Sequence, residues 1–163
     1  MSRQLAELES ILQQLITEHE KLLGQLEAQQ AAMKKLDIRA IQQLADQQES
    51  TRLRLTSLEN RRRLAVTQLA LALRITAPAT ITTLADAIPQ SRSRLLELRN
   101  RLRGIMAQIS SRAHVASRLA GAVLGHLNTV VRLVAGAVEQ AGLYTKDGVP
   151  RVSTRIGVME AVA

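Results

Sequence analysis

The chain has 163 residues, one aromatic side chain (Tyr144), no cysteine and a formal net charge of +8. That length fits one domain. A core without Phe or Trp must be built from Leu, Ile, Val and Ala, which suits narrow helix seams, and the lack of cysteine excludes disulfides and thiolate metal sites and fits a reducing compartment.

The charge is unevenly placed. Residues 1–60 hold 7 Lys/Arg against 9 Asp/Glu, and residues 61–163 hold 15 against 5. Repulsion within the second part eases if it packs on the first part or on an acidic partner. The N-terminus, MSRQLAELES, lacks the basic-then-apolar layout of a secretory signal. No uninterrupted apolar run reaches the roughly 18 residues needed to span a bilayer. The nearest, around Leu119 to Val138, is broken by His126, Asn128 and Arg132. The expectation is a soluble cytoplasmic protein with no membrane insertion.

Helix one is predicted over about 2–33. Leu5, Leu8, Leu12, Leu15, His19, Leu22 and Leu26 recur at three- and four-residue steps, and Ile11, Ile16 and Leu23 widen the stripe. This is a coiled-coil or bundle pattern. Lys34-Lys35-Leu36-Asp37 reads as a join, with Asp37 able to cap a new helix at Ile38. No Gly or Pro marks the turn, so an unbroken helix stays open.

Helix two is predicted over about 38–75. Its seam runs through Ile41, Leu44, Leu55, Leu58, Ala65, Leu69 and Ala72, and weakens at Gln48, Thr51 and Arg62. The dense end from Leu64 to Ile75 is expected to meet the start of helix three. Thr76 to Pro89 is the clear break, where Pro78 biases Ala77 away from helix. Thr80 or Thr82 can cap a short connector helix through Ile88.

Helix three is predicted over about 89–142, with Pro89 near its first turn and Gly142 ending it. A first apolar band contains Leu95, Leu98, Leu102, Ile105, Ile109, Ala113, Ala116, Ala120, Val123, Leu127, Val131, Val134 and Val138. Arg92, Arg94, Arg99, Arg101 and Arg103 flank it, their stems covering apolar surface while the guanidinium groups stay wet. A second band, Val115, Leu119, Ala122, Val130, Leu133 and Ala137, appears only in the second half. A helix apolar on two sides needs two partners. One can be the rest of the chain; the other is another molecule, unless one bundle or a homodimer buries both bands. Beyond Leu143, Asp147-Gly148 signals a turn. Residues 144–163 read as a flexible basic tail in which Val152, Ile156 and Val158 permit a short strand.

No catalytic constellation is visible. His19, His114 and His126 lie far apart in sequence and fit no metal spacing or nucleophile motif. His19 falls on the helix-one seam, where a structural role with satisfied ring nitrogens is expected. Gly121 and Gly125 share a helix face and each costs about 1 kcal/mol relative to Ala. The fold class expected is all-α, an elongated antiparallel bundle or coiled coil of three long helices with a short connector helix, over residues 1–143. No cofactor, metal or enzymatic activity is expected.

The layout resembles a family. A Gln/Glu-rich first helix, a second with the run LENRRRLAVTQLA, the connector ITTLADAIP and a third helix closing in LYTKDG look like the FlgN-type flagellar export chaperones over about residues 5–150. The middle of the third helix, ISSRAHVASRLAG, lacks the asparagines common in that family. The resemblance implies a chaperone that holds hook–filament junction proteins by a C-terminal helical segment and presents them to the export gate of the flagellar type III apparatus. The client face expected is Val115, Leu119, Ala122, Val130, Leu133 and Ala137. Tyr144 matches the closing motif and is expected either to contact the export gate or to fold back on helix three. Two other readings stay open. One is a structural coiled-coil protein whose bands are consumed by homo-oligomerisation. The other is a basic helical nucleic-acid binder, which the lack of aromatic stacking residues in the helical body disfavours.

Overall fold

The computed structural model describes the backbone of residues 2–76 and 78–141, and the side chains of residues 3–76 and 78–136. Among the described residues every regular element is helical: α1 (Ser2–Lys34), α2 (Ile38–Ala72), α3 (Ile81–Ala87), a 3-10 turn over Pro89–Ser91, and α4 (Arg92–Ala141). The chain divides into two compact units, residues 1–120 and 121–163.

The three–four spacing of α1 buries Leu8, Ile11, Leu12, Leu15 and Ile16 almost completely. They join Leu58, Leu69, Leu84, Leu95 and Leu98 in one core within residues 1–120. Apolar burial of this kind contributes roughly 1.5–3 kcal/mol per large side chain. Directions follow from named pairs. Gln25 Nε2 donates to Thr51 Oγ1 at 3.2 Å and Gln48 Nε2 donates to Gln29 Oε1 at 3.2 Å, so α1 and α2 run in opposite directions. Arg101 bonds Glu20 at 2.7 Å and Arg112 pairs with Glu27 at 3.2 Å, so α1 and α4 run in the same direction.

α1 and α2 are separate helices. Leu36 takes φ 55°, and the N–H groups of Leu36 and Asp37 donate to Met33 O and Ala32 O, a left-handed closure normally given to glycine. Asp37 then caps α2, its Oδ1 accepting from the Ala40 N–H at 3.0 Å. The same device ends α2 at Ala72 rather than at Ile75. Arg74 takes φ 54°, and Arg74 and Ile75 donate to Leu71 O and Ala70 O. Ile75 leaves the helix but still packs on the core.

Thr80, not Thr82, caps α3, and it does so reciprocally. Thr80 Oγ1 accepts from the Thr83 N–H at 3.1 Å while Thr83 Oγ1 accepts from the Thr80 N–H at 2.9 Å. Pro89 opens a 3-10 turn, and the α-helix proper begins at Arg92. The dense end of α2 meets the core through Val66, Leu69 and Ala70, but Leu64 and Leu71 point to solvent. Ala77, the Gly142 helix end, the Asp147-Gly148 turn and the tail 144–163 lie outside the described residues.

Candidate functional site

From Gly121 to Gly136, α4 presents apolar side chains to solvent. Leu124 is 66% exposed, Leu133 68%, Val131 65% and Val134 58%. At about 100° per residue, Ala122, Leu133, Val130, Val123, Val134, Leu127, Val131 and Leu124 cover an arc of roughly 200°, with the exposed His126 set into it between Leu133 and Val130. Gly121, Gly125, Asn128, Thr129, Arg132 and Gly136 form the remaining ridge. Thr129 Oγ1 donates to Gly125 O at 3.0 Å, so its hydroxyl is turned back on the helix. A side chain added at Gly121, Gly125 or Gly136 would meet nothing within 4 Å.

Val115 and Leu119 are half-buried and, with Arg118, line a shallow depression of about 250 Å³. Ala122, Val130 and Leu133 are exposed. The side chain of Ala137 and all of Tyr144 lie outside the described residues. In the first band, Leu95, Leu98, Leu102, Ile105 and Ala116 are buried as an internal seam requires. Leu127, Val131 and Val134 of that same band are exposed. Periodicity says which residues share a face but not whether the face is covered. Helix lengths carry the missing signal: α4 has 50 residues against 33 for α1 and 35 for α2, an excess of about 15 residues or roughly 22 Å. By length and composition alone α4 also passes as long and apolar enough to cross a membrane. His126, Asn128 and Arg132 interrupt its apolar character without lowering it enough.

A second concave feature lies within residues 1–120. It is a groove of about 620 Å³ with Leu15, Leu55, Ile81 and Leu102 in its floor and His19 and Glu59 beside it. His19 Nδ1 donates to Leu15 O at 2.7 Å, which satisfies one of its two ring nitrogens. Glu59 receives Nε and Nη2 of Arg62 at 2.7 Å each and Nε of Arg63 at 3.1 Å. The Arg62 hydrogen bonds hold the Glu59 carboxyl below the usual carboxylate range and raise the Arg62 guanidinium in turn. Among the described residues no group of three or more His, Cys, Asp or Glu side chains gathers to hold a metal.

No curated protein and no solved structure matches the chain. The model of the family described as FlgN protein matches residues 1–151, nearly the whole sequence. With that coverage, and with the helices it spans folded as described, the chain belongs to the FlgN family.

Proposed function

We propose that the chain is a cytoplasmic export chaperone that binds the C-terminal helical segment of flagellar hook–filament junction proteins and delivers them to the type III export apparatus. The reading takes the three long helices as an antiparallel bundle carrying a binding face on α4. The single observation that carries it is the exposed apolar arc of residues 122–134. Apolar patches of this kind mark interaction sites, and an amphipathic helix laid into such a surface is a recurrent mode of recognition. An export client has to stay unfolded until it is secreted, and its apolar terminal helix would otherwise self-associate. Covering that helix masks it reversibly, while the cost of ordering a flexible segment limits affinity and eases release.

In this reading Val115, Leu119, Ala122, Val130, Leu133 and Ala137 form the client face, Leu124, Leu127, Val131 and Val134 extend it, and Tyr144 contacts the export gate. No turnover is involved. The ridge bearing Asn128 and Arg132 favours a protein partner over a lipid-buried span, because a charged residue at bilayer depth costs at least about 2.5 kcal/mol.

The test is Leu119→Asp with Leu133→Asp. Junction-protein binding, followed by co-purification and calorimetry, should be lost while the far-ultraviolet helical signal stays nearly intact. Loss of the helical signal would place those side chains in an internal core. A salt-resistant oligomer of the unmutated chain with the arc buried would favour the structural coiled-coil reading.

A further inference from the structure

We infer that the groove within residues 1–120 is a docking surface of its own, and that it takes a protein segment apolar along one side and acidic at its borders. The inference does not depend on the α4 arc, which lies beyond residue 120. Leu55, Arg62 and Leu69 stand seven residues apart on α2 and share one helix face. Leu69 is fully buried. Arg62 stands where the seam calls for an aliphatic side chain and turns its guanidinium to Glu59 at 2.7 Å. At this level the seam opens into the groove of about 620 Å³, with Leu15, Leu55, Ile81 and Leu102 in its floor. Met106, on the α4 bank, is 51% exposed.

Both banks are basic. On α2, Arg63 lines the groove and gives only its Nε to Glu59, at 3.1 Å. Its two Nη groups donate to nothing among the described residues, and the side chain is well exposed. On α4, Arg99 lies about 20° round the helix from Met106 and about two turns before it; Arg103 lies about 60° round and one turn before it. None of the eight ion pairs among the described residues includes Arg99 or Arg103. Glu59 is the one carboxylate among the lining residues, and Arg62 and Arg63 already occupy it. An apolar side chain entering between the banks covers Met106 and meets the floor, and a carboxylate beside it can take both Nη groups of one arginine. Two occupants from this chain bring the wrong charge. A second copy carries +8, and residues 142–163 hold Lys146, Arg151 and Arg155 against Asp147 and Glu160. The partner is therefore another protein. Exposed charge of this kind selects it and speeds encounter more than it adds affinity.

The experiment uses the full chain and two synthetic helical peptides with the same Leu/Ile stripe, one with Glu and one with Lys at every bordering position. Calorimetric titration at low salt should find the Glu-bordered peptide bound about tenfold more tightly, with the margin narrowing as salt rises. Arg63→Glu with Arg99→Glu should reverse the order. Met106→Asp should abolish binding of the Glu-bordered peptide and Leu133→Asp should leave it unchanged; both side chains are exposed, so the helical signal should hold in each variant. Equal binding of the two peptides, or a preference that the arginine variant leaves in place, overturns the inference. Binding that survives Met106→Asp and is lost with Leu133→Asp belongs to the α4 arc and overturns it. Binding of neither peptide overturns it as well, and so does a dimer of the unmutated chain that Met106→Asp dissociates, which would make the groove a contact between copies.

Discussion

Leu36 and Arg74 both adopt φ near 55°, a region where a Cβ crowds the following carbonyl. The conformation costs an L-residue roughly 1–2 kcal/mol, and glycine avoids that cost while losing some of the gain through a more flexible unfolded chain. Leu36 is also about half exposed, so little packing is lost on its removal. Leu36→Gly and Arg74→Gly should each stabilise the fold by about 0.5–1 kcal/mol, read as a rise of a few degrees in melting temperature; a fall would mean that these side chains hold contacts worth more than the strain. Glu59 sets a pH dependence. Its pKa is lowered in the folded state, chiefly by the Arg62 hydrogen bonds, so its contribution is present above the unfolded carboxylate range and is lost as pH drops through the folded value. Because the pair is partly exposed, Glu59→Gln should cost only about 0.5 kcal/mol at neutral pH. The gap between variant and parent in melting temperature should close on acidification. A gap that persists unchanged at low pH would assign the cost to packing instead.

At the scale of helix against helix, polar side chains interrupt the apolar seam between α1 and α2. Thr51 is fully buried and Gln25 nearly so, and they are joined by one hydrogen bond of 3.2 Å. Gln25 Oε1 is buried without a partner among the described residues. Thr51→Val alone leaves the Gln25 amide without its acceptor and should destabilise by about 1–2 kcal/mol. Gln25→Leu with Thr51→Val removes both ends of the bond and should restore or exceed parental stability in urea unfolding. If the double variant is less stable than Thr51→Val alone, the pair contributes more than its bond. The seam positions of Thr51, Gln48 and Arg62 are legible in the heptad spacing, and so are the helices themselves, because a three–four step is a local property of the chain. The partners of those polar residues are not, since Gln25 and Thr51 are 26 residues apart and meet only after the hairpin forms. The end of α2 is hidden for a different reason. Left-handed closures advertised by glycine can be read from sequence, but here Leu and Arg occupy the position, and Leu73 and Ile75 extend the apolar pattern past the real end of α2.

Across the whole molecule, burial and exposure separate along α4. Among the described residues the buried apolar side chains extend no further along the chain than Ala116, whereas Leu124, Leu127, Val130, Val131, Leu133 and Val134 are all exposed. The sequence shows two apolar bands there and leaves open which is covered; only the burial decides it. A region that buries little apolar surface adds little to the free energy of unfolding. It also has low local stability, which suits a segment that must adapt to a partner. Gly121, Gly125 and Gly136 weaken the isolated helix further, each by about 1 kcal/mol. A chain ending at Ala120 should therefore melt within a few degrees of the full-length protein. It should also lose both junction-protein binding and the binding of a hydrophobic dye that the exposed arc confers. Differential scanning calorimetry and dye fluorescence on the two chains measure this directly. A drop of more than about 10 °C on truncation, several kcal/mol for a domain of this size, would show that residues beyond 120 help hold the core together and are not a free surface.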